Sequence, residues 1–436
     1  MPPFYVQWVI GRNQRDLSRR RLDRRARVAR GGGIASVVRV FRGLAVVLLL
    51  MFAAGCGGGG DDDDSGGDRD RGTTPVLGAG GDEEQAEDAP ALGFPVFATK
   101  NTTRVAGADP VANAAGAARA LYPARTDESS PRAVVIVEQD DWRAAISAAQ
   151  LLARPLRAPV LFSDGGELPA ASAEALEELA PSGAEEAGDA EVIRIGDAAE
   201  PENREVTDVE GSSSTALAQA IDALQISAAG DPSDAVVVAP ADSPDFAMPA
   251  AGWAAKSGQP VLWTLKDSLP PETREAIEAH KRPRIYVLGP EDVVSETVVR
   301  QLERLGPTRR VSGPDPVTNA IAFARYNDNG RFGWNVVDPG HGLVFANVAR
   351  TLDAVAGSAF SGAGQFGPLL LVTEPAALPE EVQEYLLDIQ PGYDEDPVRG
   401  VYNHGWLMGD ESAISADVQS RIDALLEIQP VDTEGD

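Results

Sequence analysis

The feature of this sequence that most constrains its fold is an internal repeat. Residues 104–114 (RVAGADPVANA) return at 310–320 as RVSGPDPVTNA, with eight identities in eleven positions. Residues 209–216 (VEGSSSTA) occupy the corresponding place between them. Self-similarity at a regular spacing indicates a chain built from copies of one structural unit. The sequence therefore predicts three consecutive units, at residues 103–199, 206–306 and 309–428.

The units share one order of signals. A glycine-containing turn opens a helix of small residues, an apolar strand follows, and a second Ala-rich helix leads to a strand that begins with proline. A Leu-Pro pair then opens an acidic helix, and a last apolar strand ends in glycine. The strands that begin with proline start at Pro159, Pro260 and Pro368. Short, continuous apolar strands that alternate with helices predict parallel sheets covered on both faces, so we expect an α/β fold.

The third unit follows the pattern least well. Its first strand is predicted at Trp334–Val337, where the apolar run is weak. A glycine-rich stretch at 357–367 has no counterpart in the other units and is predicted to be an inserted, flexible segment.

Charge and cysteine content exclude several classes of protein. The chain has 67 acidic residues against 38 Lys and Arg, a formal charge of -29. A nucleic-acid partner is not expected, because phosphate binding requires clustered cations. The single cysteine excludes disulfides within the chain and zinc sites built from several cysteines.

The N-terminal segment indicates export. Residues 1–55 contain eleven Arg and only two Asp, and end in the apolar run 44–54, which is too short to span a bilayer as a helix. This combination predicts a secretory signal. The residues Ala53-Ala54-Gly55-Cys56 resemble the lipobox of bacterial lipoproteins, which implies cleavage before Cys56 and a diacylglyceryl group on its sulfur. A free thiol at Cys56 is the alternative.

Residues 56–91 follow as a Gly- and Asp-rich segment that includes Asp61–Asp64. Such a composition cannot bury enough apolar surface to fold, so we predict a solvated tether. The tether would hold the folded body away from the outer face of a bacterial membrane. No cofactor is predicted, and Asp61–Asp64 would hold divalent cations only loosely.

The three units together resemble the cell wall binding repeat 2 family. The similarity rests on the R-V-x-G-x-D opening, the Asp-aromatic pairs Asp141-Trp142 and Asp245-Phe246, the Pro-Val-Leu strands, the Leu-Pro turns and the Val294-Ser295 pair. It implies three Rossmann-like modules around a pseudo-threefold axis and noncovalent binding of an anionic wall polymer. The second unit departs from the pattern, with Asp208 and Ser213 in place of the opening Arg and Asp.

Candidate ligand-binding residues follow from the predicted sheets. Ligands of open parallel sheets bind outside the carboxyl ends of the strands, where helix N-termini offer N–H donors. The candidates that follow strands are Asp141, Ser163, Asp245, Thr264 and Thr373. Arg104 and Arg310 would offer two-pronged donors to an anion if they face the same crevice. Structural ion pairing is the alternative for both arginines.

Catalytic motifs are weak. Gly362–Gly367 matches G-x-G-x-x-G but precedes a predicted strand, whereas a dinucleotide fingerprint follows one. His341 and His404 are predicted in turns of the third unit and would form a metal or hydrolytic site with Asp338, unless they are ordinary surface groups. His280, beside Lys281 and Arg282, is predicted as a cation that complements a helix dipole.

The sequence therefore predicts a non-catalytic, lipid-anchored envelope protein that binds a wall glycopolymer. A solute- or sugar-binding lipoprotein of a transport system is the alternative, and would fold as two lobes rather than three units. An envelope hydrolase would need a catalytic domain, and no segment remains for one outside the repeats.

Overall fold

The computed structural model describes residues 95–431 except 125, 127–128, 364–365, 395 and 398–399. The predicted signal 1–55, the tether 56–91 and Cys56 lie outside the described residues. Within this part of the chain, no helix combines the length and the apolar character that crossing a bilayer requires.

Short strands alternate with helices along the whole described chain. The strands are Pro95–Ala98 (β1), Thr102–Val105 (β2), Val134–Glu138 (β3), Val160–Ser163 (β4), Val192–Ile195 (β5), Val206–Val209 (β6), Ala235–Pro240 (β7), Val261–Thr264 (β8), Arg284–Leu288 (β9), Thr308–Val311 (β10), Gly342–Asn347 (β11), Leu369–Val372 (β12), Gly392–Tyr393 (β13), His404–Met408 (β14) and Gln429–Pro430 (β15). The α-helices are Pro110–Leu121 (α1), Trp142–Ala148 (α2), Ala170–Leu179 (α3), Ser214–Ala229 (α4), Pro244–Ala247 (α5), Pro249–Ser257 (α6), Pro271–Ala279 (α7), Glu296–Leu302 (α8), Pro316–Arg325 (α9), Thr351–Gly362 (α10), Glu380–Asp388 (α11) and Ala416–Leu426 (α12).

The strands form three larger sheets and one short pair, β13 with β15. The first sheet has the order β4-β3-β5-β6, the second β10-β9-β7-β8 and the third β1-β2-β14-β11-β12. Their strand pairs are parallel, apart from the antiparallel pair of β1 with β2. The α/β fold with parallel sheets predicted from the sequence is confirmed.

Each larger sheet contains one strand from another of the predicted repeats. Strand β6 opens the second repeat but pairs with β5 of the first, and β10 opens the third repeat but pairs with β9 of the second. Strand β2, which opens the first repeat, pairs with β14 of the third. The exchange of strands thus forms a closed cycle, in which the N-terminal strand completes the C-terminal sheet of the same chain.

The repeated opening motif builds a helix start. The side chains of Asp109 and Asp315 cap α1 and α9 by accepting a hydrogen bond from the backbone N–H of the third helical residue. Ser213 caps α4 in the same way. Proline occupies the first helical position in α1 and α9, where its missing N–H has no cost. The runs of small residues predict helix starts at Ala112, Ala216 and Ala320, but α1 and α4 begin two residues earlier and α9 begins four residues earlier.

The core lies between the sheets and the Ala-rich helices. The central strands β3, β7 and β11 are buried on both faces, as the uninterrupted apolar runs of β3 and β7 predict. Helices α2, α6 and α10, one from each repeat, pack against one another. Small residues permit the close approach: a Cβ on Gly252 of α6 would lie 2.7 Å from Ser361 Oγ of α10.

Two expectations for the third unit are wrong. Its central strand is β11, not Trp334–Val337, which is a loop. Trp334 is buried because it packs edge-on against Trp253, with ring centroids 5.3 Å apart, and not because it lies in a sheet. Gly357 lies inside α10 rather than in a flexible insertion, and a Cβ there would come within 2.7 Å of Val344 on β11.

His280 is also placed differently from the prediction. Its side chain is buried, and Nε2 lies 2.7 Å from Asp222 Oδ2 on α4. Nδ1 accepts a hydrogen bond from the N–H of Ser233, so the ring proton lies on Nε2 and is donated to Asp222. The imidazole joins two helices of the second repeat and is not a surface cation.

Candidate functional site

The carboxyl end of the first sheet is organised by Glu138, the last residue of β3. Its carboxylate accepts hydrogen bonds from Ser163 Oγ at 2.9 Å, Gly165 N at 2.6 Å and Gly166 N at 3.2 Å. Gly165 and Gly166 have φ of 58° and 79°, which L-residues rarely adopt. Ser163 is fully buried, so Glu138 engages its hydroxyl and fixes the adjacent turn.

Asp141 links two repeats. It caps α2 by accepting from Ala144 N at 3.1 Å, and both its oxygens accept from Ser214 Oγ of α4, at 2.9 and 3.0 Å. Asp245 has a different position, because it lies inside α5 and accepts only from the N–H of Phe246. The two Asp-aromatic pairs are thus alike in sequence but not in geometry.

Thr264 and Thr373 also differ from each other. Thr264 is buried, and its hydroxyl donates to the carbonyls of Leu265 and Ser268. In the strand register, Ser163 pairs with the last residue of β3, Thr264 with the last of β7 and Val372 with the last of β11. Thr373 therefore lies one residue beyond the equivalent position and is exposed, because the third unit has one more residue between this strand and its Leu-Pro pair.

Arg104 points into the protein. Its side chain is buried, with the residue only 2% exposed. The guanidinium donates to Gln419 Oε1 at 2.8 Å and to the carbonyls of Gly409 and Asp410 at 2.9 and 3.0 Å. Burial lowers the pKa of Arg104, while nearby Glu411 and Asp410 oppose this shift. In this conformation the side chain holds β2 to the turn after β14.

Arg310 makes the equivalent contacts in the second sheet. It donates to the carbonyls of Gly289 and Val294 at 2.8 and 2.9 Å, and to Glu296 Oε1 at 2.7 Å. Both arginines thus donate to the carbonyl of the glycine that directly follows the neighbouring strand, β14 for Arg104 and β9 for Arg310. Every one of these donors already has a protein partner, so the structure does not show Arg104 or Arg310 free to bind a ligand. Their participation in ligand binding stays a prediction.

The third sheet contains a charged group that the sequence analysis missed. Arg350 precedes α10 as Asp141 precedes α2, and its Nε lies 2.7 Å from Asp353 Oδ2. Asp353 is fully buried and accepts from Asn113 Nδ2 of α1 at 2.8 Å. Burial raises the pKa of Asp353 to about 6, although Arg350 and Asn113 act in the opposite direction. The recurrence of Asn in the opening motif was the available signal, because Asn113 makes this contact between repeats.

The carboxyl ends carry a strongly negative charge. A cleft at the ends of β5 and β6 is lined by Arg194, Gly196, Asp197, Glu210, Gly211 and Ser212. The one cation in that cleft is already neutralised, since Arg194 contacts Asp208 at 2.6 Å and Glu200 at 3.3 Å. On grounds of charge, this edge disfavours a polyanion unless divalent cations intervene.

The two histidines of the third unit are joined by a backbone hydrogen bond, but their rings contact different residues. The N–H of His404 donates to the carbonyl of His341, yet His404 opens β14 and is not in a turn, contrary to the prediction. Its ring contacts Thr103 Oγ1 at 3.1 Å and burial lowers its pKa, whereas His341 approaches Asp338 at 3.4 Å. Across the described residues, no three His, Cys, Asp or Glu side chains gather in a way that would hold a metal ion.

Comparisons with known proteins agree with the family resemblance in the middle of the chain. Residues 209–299 match the family model of cell wall binding domain 2 (CWB2). The solved structure of Cwp6 from Clostridium difficile aligns with a TM-score of 0.58 at 18% identity, over 75% of this chain and 48% of that one. Cwp8 from Clostridium difficile gives 0.57 at 15% identity, over 75% and 52%.

The chain spans about half the length of these two proteins, and at these identities the likeness concerns the fold alone. No curated protein matches the chain significantly.

Proposed function

We propose that this chain is a non-catalytic envelope protein that binds an anionic wall glycopolymer noncovalently through three cell wall binding repeats. The observation that carries the proposal is the match of residues 209–299 to the cell wall binding domain 2 family. The eight identities between 104–114 and 310–320 extend the same unit to both sides of that match.

The closed exchange of strands supports the arrangement of the three repeats. Strands β6, β10 and β2 occupy the same position in successive sheets, beside the strand that ends in glycine. Such a cycle favours a pseudo-threefold body within one chain. It does not favour the two-lobed body of a solute receptor, because the described residues form three sheets of four or five strands.

The anchor is the second part of the proposal. The apolar run before Cys56 and the Gly- and Asp-rich residues after it support export, lipidation of Cys56 and attachment to the outer face of the bacterial membrane. The folded body would then reach the wall on the tether 56–91, so that one molecule joins membrane and wall.

Sedimentation with wall sacculi tests the proposal. The full chain, purified in detergent, is mixed with sacculi of the producing bacterium, before and after chemical removal of their covalently attached glycopolymers. We expect co-sedimentation with the intact sacculi, which weakens as salt is raised because charges are screened. A parallel sample with a chelator measures any contribution of divalent cations. Equal sedimentation with intact and stripped sacculi would contradict glycopolymer binding.

A further inference from the structure

Six Lys and Arg residues lie at the amino end of the second sheet. We define the amino-edge cluster as Lys281, Arg282, Arg284, Arg304, Arg309 and Arg331. Lys281, Arg282, Arg304, Arg309 and Arg331 are exposed, and Arg284 is half-buried. The rest of the described surface is mainly acidic, so this cluster is an exception that the fold of the second repeat creates.

The cluster is held together by the β9–β10 pair and the loop after α9. Tyr286 of β9 lies in register with Arg309 of β10, so their side chains share a face of the sheet with Arg284, two residues earlier. Tyr286 donates to Asp328 Oδ2 at 2.6 Å, and Arg309 lies 3.6 Å from the other oxygen. Hydrogen bonding by Tyr286, with Arg309 and Arg284 nearby, lowers the pKa of Asp328.

The remaining members lie on either side of this centre. Arg331 N donates to the carbonyl of Asp328, which places Arg331 in the same turn. The turn that contains Arg304 leads to Gly306. A Cβ atom at Gly306 would lie 2.0 Å from the carbonyl oxygen of Pro283, so only glycine fits there. Lys281 and Arg282 immediately precede Pro283. Three loops of the second and third repeats thus bring their cations to one edge.

Most of these cations have no carboxylate partner. Among the described residues, Lys281, Arg282, Arg284, Arg304 and Arg331 form no ion pair within 4.0 Å. The exposed acids in adjoining segments are Asp231 and Asp234 in the loop before β7, whose Asp234 carbonyl accepts from the N–H of Arg284, Glu278 at the end of α7 and Glu303 after α8. With the buried Asp328, the six cations face five carboxylates, which leaves a small local positive surplus.

The first sheet provides the contrast. At its amino edge, Arg132 pairs with Glu186 at 2.9 Å and Arg204 with Glu177 at 2.8 Å. The structural elements are equivalent, but Arg132 and Arg204 are neutralised by neighbours, which leaves Arg154 and Arg157, among the described residues, as exposed arginines without an ion pair at this edge. Only unpaired cations can attract a polyanion and release its counterions.

The backbone of the cluster is strained where two cations stand. Lys281 and Arg282 have φ of 56° and 71°, a region that costs L-residues about 1–2 kcal/mol each. The buried His280, fixed between Asp222 and Ser233, holds the end of α7 from which this turn leaves. Glycine or asparagine would fit such a turn better, so stability does not explain a lysine and an arginine there.

We infer that the amino-edge cluster is the place where the anionic wall polymer docks on the second repeat. The inference rests on the proposed function and gives it a site, at the opposite end of the strands from the acidic carboxyl edges. The ligand is a linear polysaccharide whose repeating phosphate or carboxylate groups contact several cations at once. The second repeat would therefore dominate the affinity of the whole body.

The test uses a variant that removes two positive charges and at the same time relieves the backbone strain at Lys281 and Arg282. Lys281→Gly with Arg282→Gly removes two cations and suits both positive φ values, so its melting temperature should stay close to that of the wild type. The control, Arg154→Gln with Arg157→Gly, removes two exposed arginines from the first repeat, and Arg157 also has a positive φ of 53°. Each full chain is titrated with intact sacculi at several salt concentrations.

We expect the Lys281/Arg282 variant to bind at least about tenfold more weakly than the wild type. The slope of the logarithm of the binding constant against the logarithm of salt concentration should become shallower by about 0.7 for each cation lost. The control should bind like the wild type. Binding of the Lys281/Arg282 variant at wild-type strength would overturn the assigned site and leave the proposed function intact. Equal weakening of both variants would also overturn the site, because net charge alone would explain it. Absence of wild-type binding would instead refute the proposed function.

Discussion

Replacement of Arg104 by methionine removes the guanidinium that ties the first repeat to the last. Methionine keeps most of the volume of the aliphatic stem, so the change isolates the loss of hydrogen bonds. In the wild type, Arg104 donates to Gln419 and to the carbonyls of Gly409 and Asp410, all within 3.0 Å. These acceptors lie in α12 and in the turn after β14, and so belong to the third repeat.

The expected cost follows from burial. Hydrogen bonds to a charged group contribute about 1.5–3 kcal/mol each, and buried acceptors that lose a partner cannot be rescued by water. Because the contributions are not additive, we expect Arg104→Met to lower the free energy of unfolding by about 3–5 kcal/mol. Arg310→Met should cost about 1–2 kcal/mol, since 19% of that side chain is exposed and its carbonyl partners can find water.

Urea unfolding of both full-length variants, followed by circular dichroism, measures the difference. The comparison is matched, because both arginines occupy the first position of the same eleven-residue motif. A loss below about 1 kcal/mol for Arg104→Met, within the usual range of exposed substitutions, would refute the reasoning. So would a larger loss for Arg310→Met, because the more exposed arginine should matter less.

Three further predictions concern other parts of the chain. Gly313→Ala should destabilise by about 2 kcal/mol or more, because its Cβ would overlap the backbone of α9 at Thr318 and Asn319; thermal unfolding tests this, and an unchanged melting temperature would contradict it. Asp353 has a raised pKa of about 6 in the folded state, so its protonated form favours folding and its contribution falls as pH rises from about 4 to 6, by roughly 3 kcal/mol in total. The stability difference between wild type and Asp353→Asn should therefore shift against the wild type over that range, and a constant difference in urea unfolding would refute the assignment. Cys56→Ser should move the protein from the membrane to the soluble fraction and abolish labelling by a fatty-acid analogue, whereas retained labelling would place the lipid elsewhere.

The α/β class was accessible from the sequence because its signals are local. Uninterrupted apolar runs marked the buried strands β3 and β7, and runs of small residues marked the helices α1, α4 and α9, although their starts were placed two to four residues late. The central strand of the third unit was misplaced because Trp334 and Val336 are buried in a loop, where Trp334 packs against Trp253. A short apolar run in the sequence indicates that the segment is buried, but it does not distinguish a buried loop from a buried strand.

The pair that closes the cycle of exchanged strands was not accessible, because β2 pairs with β14 about 300 positions away, whereas β6 and β10 each pair with the strand directly before them in sequence. The sequence motif begins with the exchanged strand, so the repeat in sequence is offset from the sheet in space. The same pairing explains the arginines. Arg104 is predicted as an anion ligand when only its own unit is considered, yet the third sheet buries it beside Leu407 and Gly409.

The candidate site was predicted from the general rule for parallel sheets, which places ligands at the carboxyl ends. The structure fills those positions with internal hydrogen bonds, such as Ser163 to Glu138. The Lys and Arg residues of the amino-edge cluster can be read from the sequence, but the sequence does not show which of them form ion pairs with carboxylates. Only the three-dimensional pairing separates Arg331 from Arg132, and this distinction underlies the proposed docking site.

Hydrogen exchange of the full chain tests the central claim most directly. Exchange is compared with and without glycopolymer released from sacculi of the producing bacterium. The account predicts slowed exchange in the segments 280–284, 303–309 and 328–332, and little change at the carboxyl ends of the strands. Protection confined to the carboxyl ends, such as 138–141 and 241–245, would contradict the proposed docking site, and no protection at saturating glycopolymer would contradict wall binding itself.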